Sequence, residues 1–135
     1  IRGTTWFFGG NEARAGKLTQ PGRIRVGSDD VVHVQDRKCI KEFDVFGNYI
    51  RTVGEGVLRH PRSFSLHDSL IFVFDDHTVY LFDRTGSLRD TILASELANG
   101  VGNLVDLAFV GKRVLVLFER RLVSLPAEAL KPKHN

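Results

Sequence analysis

An internal repeat close to 40 residues long constrains this chain more than any other feature. The stretch from Pro21, PGRIRVGSDDVVHVQDRKCIKEFDVFGNYIRTVG, recurs from Pro61 as PRSFSLHDSLIFVFDDHTVYLFDRTGSLRDTIL. Pro21 matches Pro61 at an offset of 40, while Asp36, Asp44 and Gly47 match Asp75, Asp83 and Gly86 at an offset of 39. A weaker copy begins near Gly102 as GNLVDLAFVGKRVLVLFERRLVSLP, with Phe118 and Glu119 in the places of Phe74 and Asp75. It offers three strand-like runs and lacks the fourth, giving way after Leu125 to Pro126 and a polar tail ending KPKHN. A fixed period of this size marks a repeat architecture, in which each unit buries an apolar face it cannot bury alone.

Each copy reads as short β segments separated by turns. In the second copy the runs are Ser63 to Leu66, Leu70 to Phe74, Thr78 to Phe82 and Leu88 to Ile92. The turns between them are His67-Asp68-Ser69, Asp75-Asp76-His77 and Arg84-Thr85-Gly86-Ser87. Gly47 and Gly86 suit a turn position that needs positive φ. Helical repeats are disfavoured, because the apolar residues alternate or run in blocks instead of recurring at three and four. The continuous blocks IFVF and VLVLF predict central strands buried on both faces. One stretch, Thr91 to Ala98, reads as a short helical connection.

Composition narrows the class. With 42% apolar and 26% charged residues the chain is too apolar for disorder. It also lacks the run of eighteen or more apolar residues that a membrane span needs. The single cysteine, Cys39, excludes an internal disulfide framework and a multi-thiolate zinc site, and its place in a strand predicts a packed thiol. A net charge of +3 is mildly basic, far from the dense cationic coat of a dedicated nucleic-acid binder. The sequence starts at Ile1 without a charged-then-apolar leader and contains no Met, so the expectation is a chain processed or cut from a longer one. An extracytoplasmic location is favoured over a cytoplasmic one.

The segments VHVQD, FDVFGNYIRTVG, IFVFDD and LFDRTGSLRDTIL resemble the NHL repeat and related six-bladed propeller repeats. The resemblance implies an all-β chain of four-stranded antiparallel β-propeller blades, an incomplete ring of about three. Blade 1 takes residues 21–54, blade 2 residues 61–93, a partial blade 3 residues 102–125, and a polar tail residues 126–135. The second copy departs from the pattern at Arg62, where the first keeps Gly22, and the third lacks both the proline and the F-D-x-x-G turn. Propellers close with four to eight blades, so further blades are expected from a second copy or another protein partner. Residues 1–10 carry GTTWFFGG, and Thr5, Trp6, Phe7 and Phe8 read as an outer strand that completes the third blade of a neighbouring chain.

Few residues spell out chemistry. Asp75-Asp76-His77 has the composition of a metal or acid-base cluster but sits where a turn is expected, and turn aspartates accept backbone N–H bonds. Asp36, Asp75 and Glu119 recur once per copy, which reads as a structural acceptor. His33, His60, His67 and His134 show no metal-ligand spacing, and no G-x-S-x-G elbow occurs. No catalytic residue, cofactor site or metal site is assigned. Basic residues gather between positions 23 and 62, interleaved with acids. Arg37, Lys38, Arg59, His60 and Arg62 are the candidate contacts for a partner or for RNA. The leading functional reading is a non-catalytic module for protein interaction or assembly. An RNA-binding NHL module and a propeller hydrolase or lyase are the alternatives.

Overall fold

The computed structural model describes residues 3–5, 7–8 and 14–132. The chain is all-β, with three antiparallel sheets. It divides into two compact units, Ile1–Arg59 and His60–Asn135. Among the described residues no helix is long and apolar enough to cross a membrane.

The first unit is one four-stranded meander of β1 (Pro21–Val26), β2 (Val32–Asp36), β3 (Cys39–Phe43) and β4 (Tyr49–Val53). Strands β2 and β3 are buried along their whole length, as the runs VHVQD and CIKEF demand of a central pair. One face of this sheet carries Val32, Val34 and Phe43, and Phe8 and Leu18 lie over them. The Phe8 and Phe43 rings are 5.3 Å apart. The same face continues on β1 through Ile24 and Val26, paired with Val34 and Val32, which remain 60% and 58% exposed. The opposite face carries a buried ionic ladder across three strands. Glu42 stands between His33 at 3.2 Å and Arg51 at 2.8 Å.

The second unit begins with an equivalent meander of β5 (Ser63–His67), β6 (Leu70–Phe74), β7 (Thr78–Phe82) and β8 (Leu88–Leu93). Along its last three strands the register repeats that of the first sheet: Ile71↔Phe82 answers Val32↔Phe43, and Val79↔Ile92 answers Ile40↔Val53. The irregularity between Leu81 and Phe82 also recurs between Glu42 and Phe43. Each F-D-x-x-G turn closes in the same way. Asp44 and Asp83 accept backbone N–H bonds from residues two and four positions on, and Gly47 and Gly86 take φ of +92° and +87°. A β-carbon at Gly47 would meet the Phe8 ring at 2.8 Å, so both backbone and space demand glycine there.

Beside it stands a three-stranded sheet of β9 (Leu104–Val110), β10 (Arg113–Phe118) and β11 (Arg121–Pro126). Phe72, Phe74, Val79, Leu81 and Ile92 of the four-stranded sheet and Leu104, Leu107, Val114, Val116 and Phe118 of the three-stranded one form a single core. The first strands of the two sheets adjoin, and the Ser65 hydroxyl donates to Leu107 O at 2.9 Å.

Three sequence readings change here. Thr91 to Ala98 is not a helical connection throughout: β8 runs on to Leu93, and only Ala94–Glu96 forms a 3-10 turn. Residues 126–135 are more than a polar tail, because Ala127–Leu130 forms a 3-10 turn whose Leu130 is fully buried in the core of the second unit. The third copy also aligns one residue away from the sequence match. In the first sheet Arg37 N–H donates to Gln20 O, the residue before β1; the counterpart is Glu119 N–H to Asn103 O, the residue before β9. Phe118 therefore stands where Asp36 does, not where Phe74 does. A slip of one residue turns every side chain to the other face, which is why Val114, Val116 and Phe118 point at Phe72 and Phe74 instead of away.

Candidate functional site: a basic cleft in the first unit

The two-residue turn between β2 and β3 places Arg37 and Lys38 at one end of the first sheet. Arg37 holds φ of +60°, in the left-handed region where a side chain beyond glycine or asparagine is costly. Strand alternation puts Cys39 and Lys41 on one face of β3. After β4 the chain turns at Gly54, with Val57 and Leu58 N–H both donating to Gly54 O, and buried Leu58 anchors the loop that presents Glu55, Gly56 and Arg59. These residues, with Thr19 and Asp36, line an open cleft of about 700 Å³.

The floor of the cleft is polar and ordered. The Asp36 carboxylate, 3% exposed, accepts the Thr19 N–H at 3.0 Å and the Gln20 N–H at 2.6 Å. Lys41 Nζ lies 3.8 Å from Asp36 and donates to Lys17 O at 2.6 Å. Cys39 Sγ donates to Asp36 O at 3.2 Å. Burial pushes the Cys39 thiol up to about 11; the Lys41 ammonium partly offsets this, and Asp36 and Glu55 reinforce it. At neutral pH the sulfur is thus a protonated thiol and a poor nucleophile. On the rim, Arg37, Lys38 and Arg59 are exposed and make no ion pair among the described residues.

Of the five contact residues read from the sequence, Arg37, Lys38 and Arg59 line one cleft of the first unit, and the other two belong to the second unit. His60 is exposed and begins the second unit. Arg62 is engaged within that unit, donating to Asp76 Oδ1 at 2.7 Å and to Leu104 O at 3.3 Å. Lys41, Asp36 and Glu55 join the site instead. The alternation of β3 was the signal for Lys41, whereas the return of the loop at 55–59 has no local signature. Of the N-terminal candidates, Thr5 and Phe7 are exposed and in no strand, Phe8 covers its own sheet, and Trp6 lies outside the described residues.

The remaining titratable candidates are bound up in the fold. Asp75 Oδ1 accepts the His77 and Thr78 N–H groups at 2.9 and 2.8 Å, and Asp76 pairs with Arg62. Glu119 Oε1 accepts the Asn103 N–H at 2.7 Å; its longer side chain regains across one residue of slip the bond that Asp36 makes to Gln20. His67 stacks on Phe109 with ring centroids 4.2 Å apart, and His134 lies outside the described residues. Among the described residues no group of three or more His, Cys, Asp and Glu side chains could hold a metal ion. No protein-family model and no curated protein matches the sequence.

Proposed function

We propose that this chain is a segment of an NHL-like β-propeller that works as a non-catalytic interaction or assembly module, its third sheet receiving a further sheet. The observation that carries this reading is one face of the three-stranded sheet. Its inner face is spent on the core of the second unit. Its outer face presents Val110, Ala108, Leu115, Leu117 and Leu122, of which Val110, Leu117 and Leu122 are 61%, 41% and 60% exposed. By the corrected register this face corresponds to the one on which Phe72 and Phe74 of the preceding sheet receive the third sheet. A face of the same kind repeated in a stack calls for the same kind of neighbour. β11 is, in addition, an edge strand of its sheet among the described residues.

A second copy supplies a suitable sheet, since the first sheet leaves Ile24 and Val26 exposed on the face equivalent to that of buried Phe64 in the second. Light scattering and native mass spectrometry test the reading. The chain is expected to self-associate, and Leu117→Lys with Leu122→Lys to convert it to a folded monomer. A monomer at the highest soluble concentration, unchanged by those substitutions, overturns it.

A further inference from the structure

We propose that the cleft of the first unit binds the carboxylates of an acidic peptide segment, with Arg37, Lys38 and Arg59 as the contacting cations. The proposal rests on the reading of the chain as a docking module but uses a surface of the first unit, whereas the third sheet belongs to the second. Three observations support it.

The first is the balance of charge. Four cations line the cleft, Arg37, Lys38, Lys41 and Arg59, against two carboxylates, Asp36 and Glu55. Lys41 and Asp36 are consumed by each other and by the backbone of residues 17–20. The rim is left with three cations and Glu55. Two of the three are arginines, whose planar fork matches a carboxylate with two parallel bonds.

The second is the backbone at Arg37. A glycine at φ of +60° would relieve a conformation that costs an L side chain about 1–2 kcal/mol. Arg37 is nevertheless exposed, and its own N–H is already bonded to Gln20 O. The turn itself needs no arginine side chain, so the guanidinium is what the position supplies to the cleft.

The third observation decides the class of ligand. Among the described residues no aromatic ring lines the cleft, whereas single-stranded nucleic acid is held by stacking its bases on such rings. Glu55 on the rim disfavours any anion directly beside it but accepts the backbone N–H groups that a peptide brings with its carboxylates and a phosphate backbone lacks. Gly56, with open space around the position of a β-carbon, leaves room beside Glu55 for an extended chain. A volume of about 700 Å³ falls within the range of clefts that take small ligands.

Fluorescence polarisation of a dye-labelled tetraglutamate peptide on the full chain tests the inference. Saturable binding is expected, weakened as salt rises. The triple variant Arg37→Gly, Lys38→Gln, Arg59→Gln should weaken it by about ten- to a hundredfold, at a factor of about two to five for each exposed cation. Because glycine suits the backbone at position 37, an undiminished melting temperature shows that the loss is not unfolding. Arg37→Lys, which keeps the charge but loses the paired bonds, should weaken binding less than Arg37→Gly. Arg120→Gln with Arg121→Gln, where the chain enters β11 of the second unit, should leave it unchanged. No saturable binding, or equal binding by the triple variant, overturns the proposal. Tighter binding of a tetrauridylate through the same three residues also overturns it, in favour of nucleic acid. Self-association that persists while peptide binding fails removes this inference alone; loss of self-association through Leu117 and Leu122 with peptide binding intact shows the two surfaces are separate.

Discussion

The first and second sheets share the register of their last three strands, yet the equivalent interior face is polar in one and apolar in the other. His33, Glu42 and Arg51 occupy the positions of Phe72, Leu81 and Asp90. His33 and Glu42 are 6% and 4% exposed, as enclosed as Phe72 and Leu81 at 1% and 0%. The pleat, the bulge and the turns are thus indifferent to which chemistry fills the face, provided that every buried polar group finds a partner. Glu42 meets that condition by pairing with both neighbours, and His33 Nδ1 also lies 3.1 Å from Val31 O. Burial of such a ladder adds little net stability, because desolvation offsets most of the attraction, whereas the aromatic face contributes its full apolar area.

Truncating the apolar face has the largest expected effect. Phe72→Ala should cost about 3–5 kcal/mol by urea unfolding, since the ring is enclosed on all sides in the core of the second unit. A cost below about 1 kcal/mol would break the contrast between the two faces. Converting the ionic face to the apolar one is the next test. His33→Phe with Glu42→Leu should be neutral or stabilising by up to a few kcal/mol, because Arg51, 37% exposed, can turn to water while a buried imidazole and a buried carboxylate disappear. Marked destabilisation of the double variant would show that the ladder fixes the sheet's geometry and does not merely fill it.

The smallest effect belongs to what the two repeats share. The Asp44 carboxyl is held below its usual value, chiefly by the Asn48 side chain, and the Asp83 carboxyl chiefly by the Thr85 hydroxyl. A carboxyl depressed in the folded state contributes stability that is complete above its unfolded value, about 4, and is lost as the pH falls below it. Asp83→Ala should remove about 0.5–1 kcal/mol at neutral pH, discounted for solvent screening, and less at pH 2. Urea midpoints at the two pH values measure it; an equal loss at both would mean that the charge of Asp83 is immaterial to the turn.

Much of the fold was legible because its signals are local. The strands of the second copy fall within a residue of their sequence bounds, since alternation and turn glycines act over a few positions. The slip in the third copy was hidden for the opposite reason: Leu117 and Phe118 are both apolar, so the pattern alone does not say which faces inward. Leu130 was equally hidden, because a lone leucine among lysines and prolines gains its buried place only from a sheet distant in sequence. Of the cleft, Arg37, Lys38 and Arg59 were among the candidate contacts read from the sequence, but nothing in their spacing said that β3 and the loop at 55–59 would line one cleft with three of the five candidates and not with His60 and Arg62.

By itself, then, the sequence determined that the chain repeats, that the repeat is built of strands, and that Gly47 and Gly86 close the same turn, because backbone dihedrals and side-chain alternation are properties of neighbours along the chain. Tertiary structure alone decided which face of each sheet is covered. That choice places Phe8 and Leu18 over the first sheet and leaves Leu117 and Leu122 open on the third. Burial depends on what arrives from elsewhere in the chain, and no local pattern carries that information.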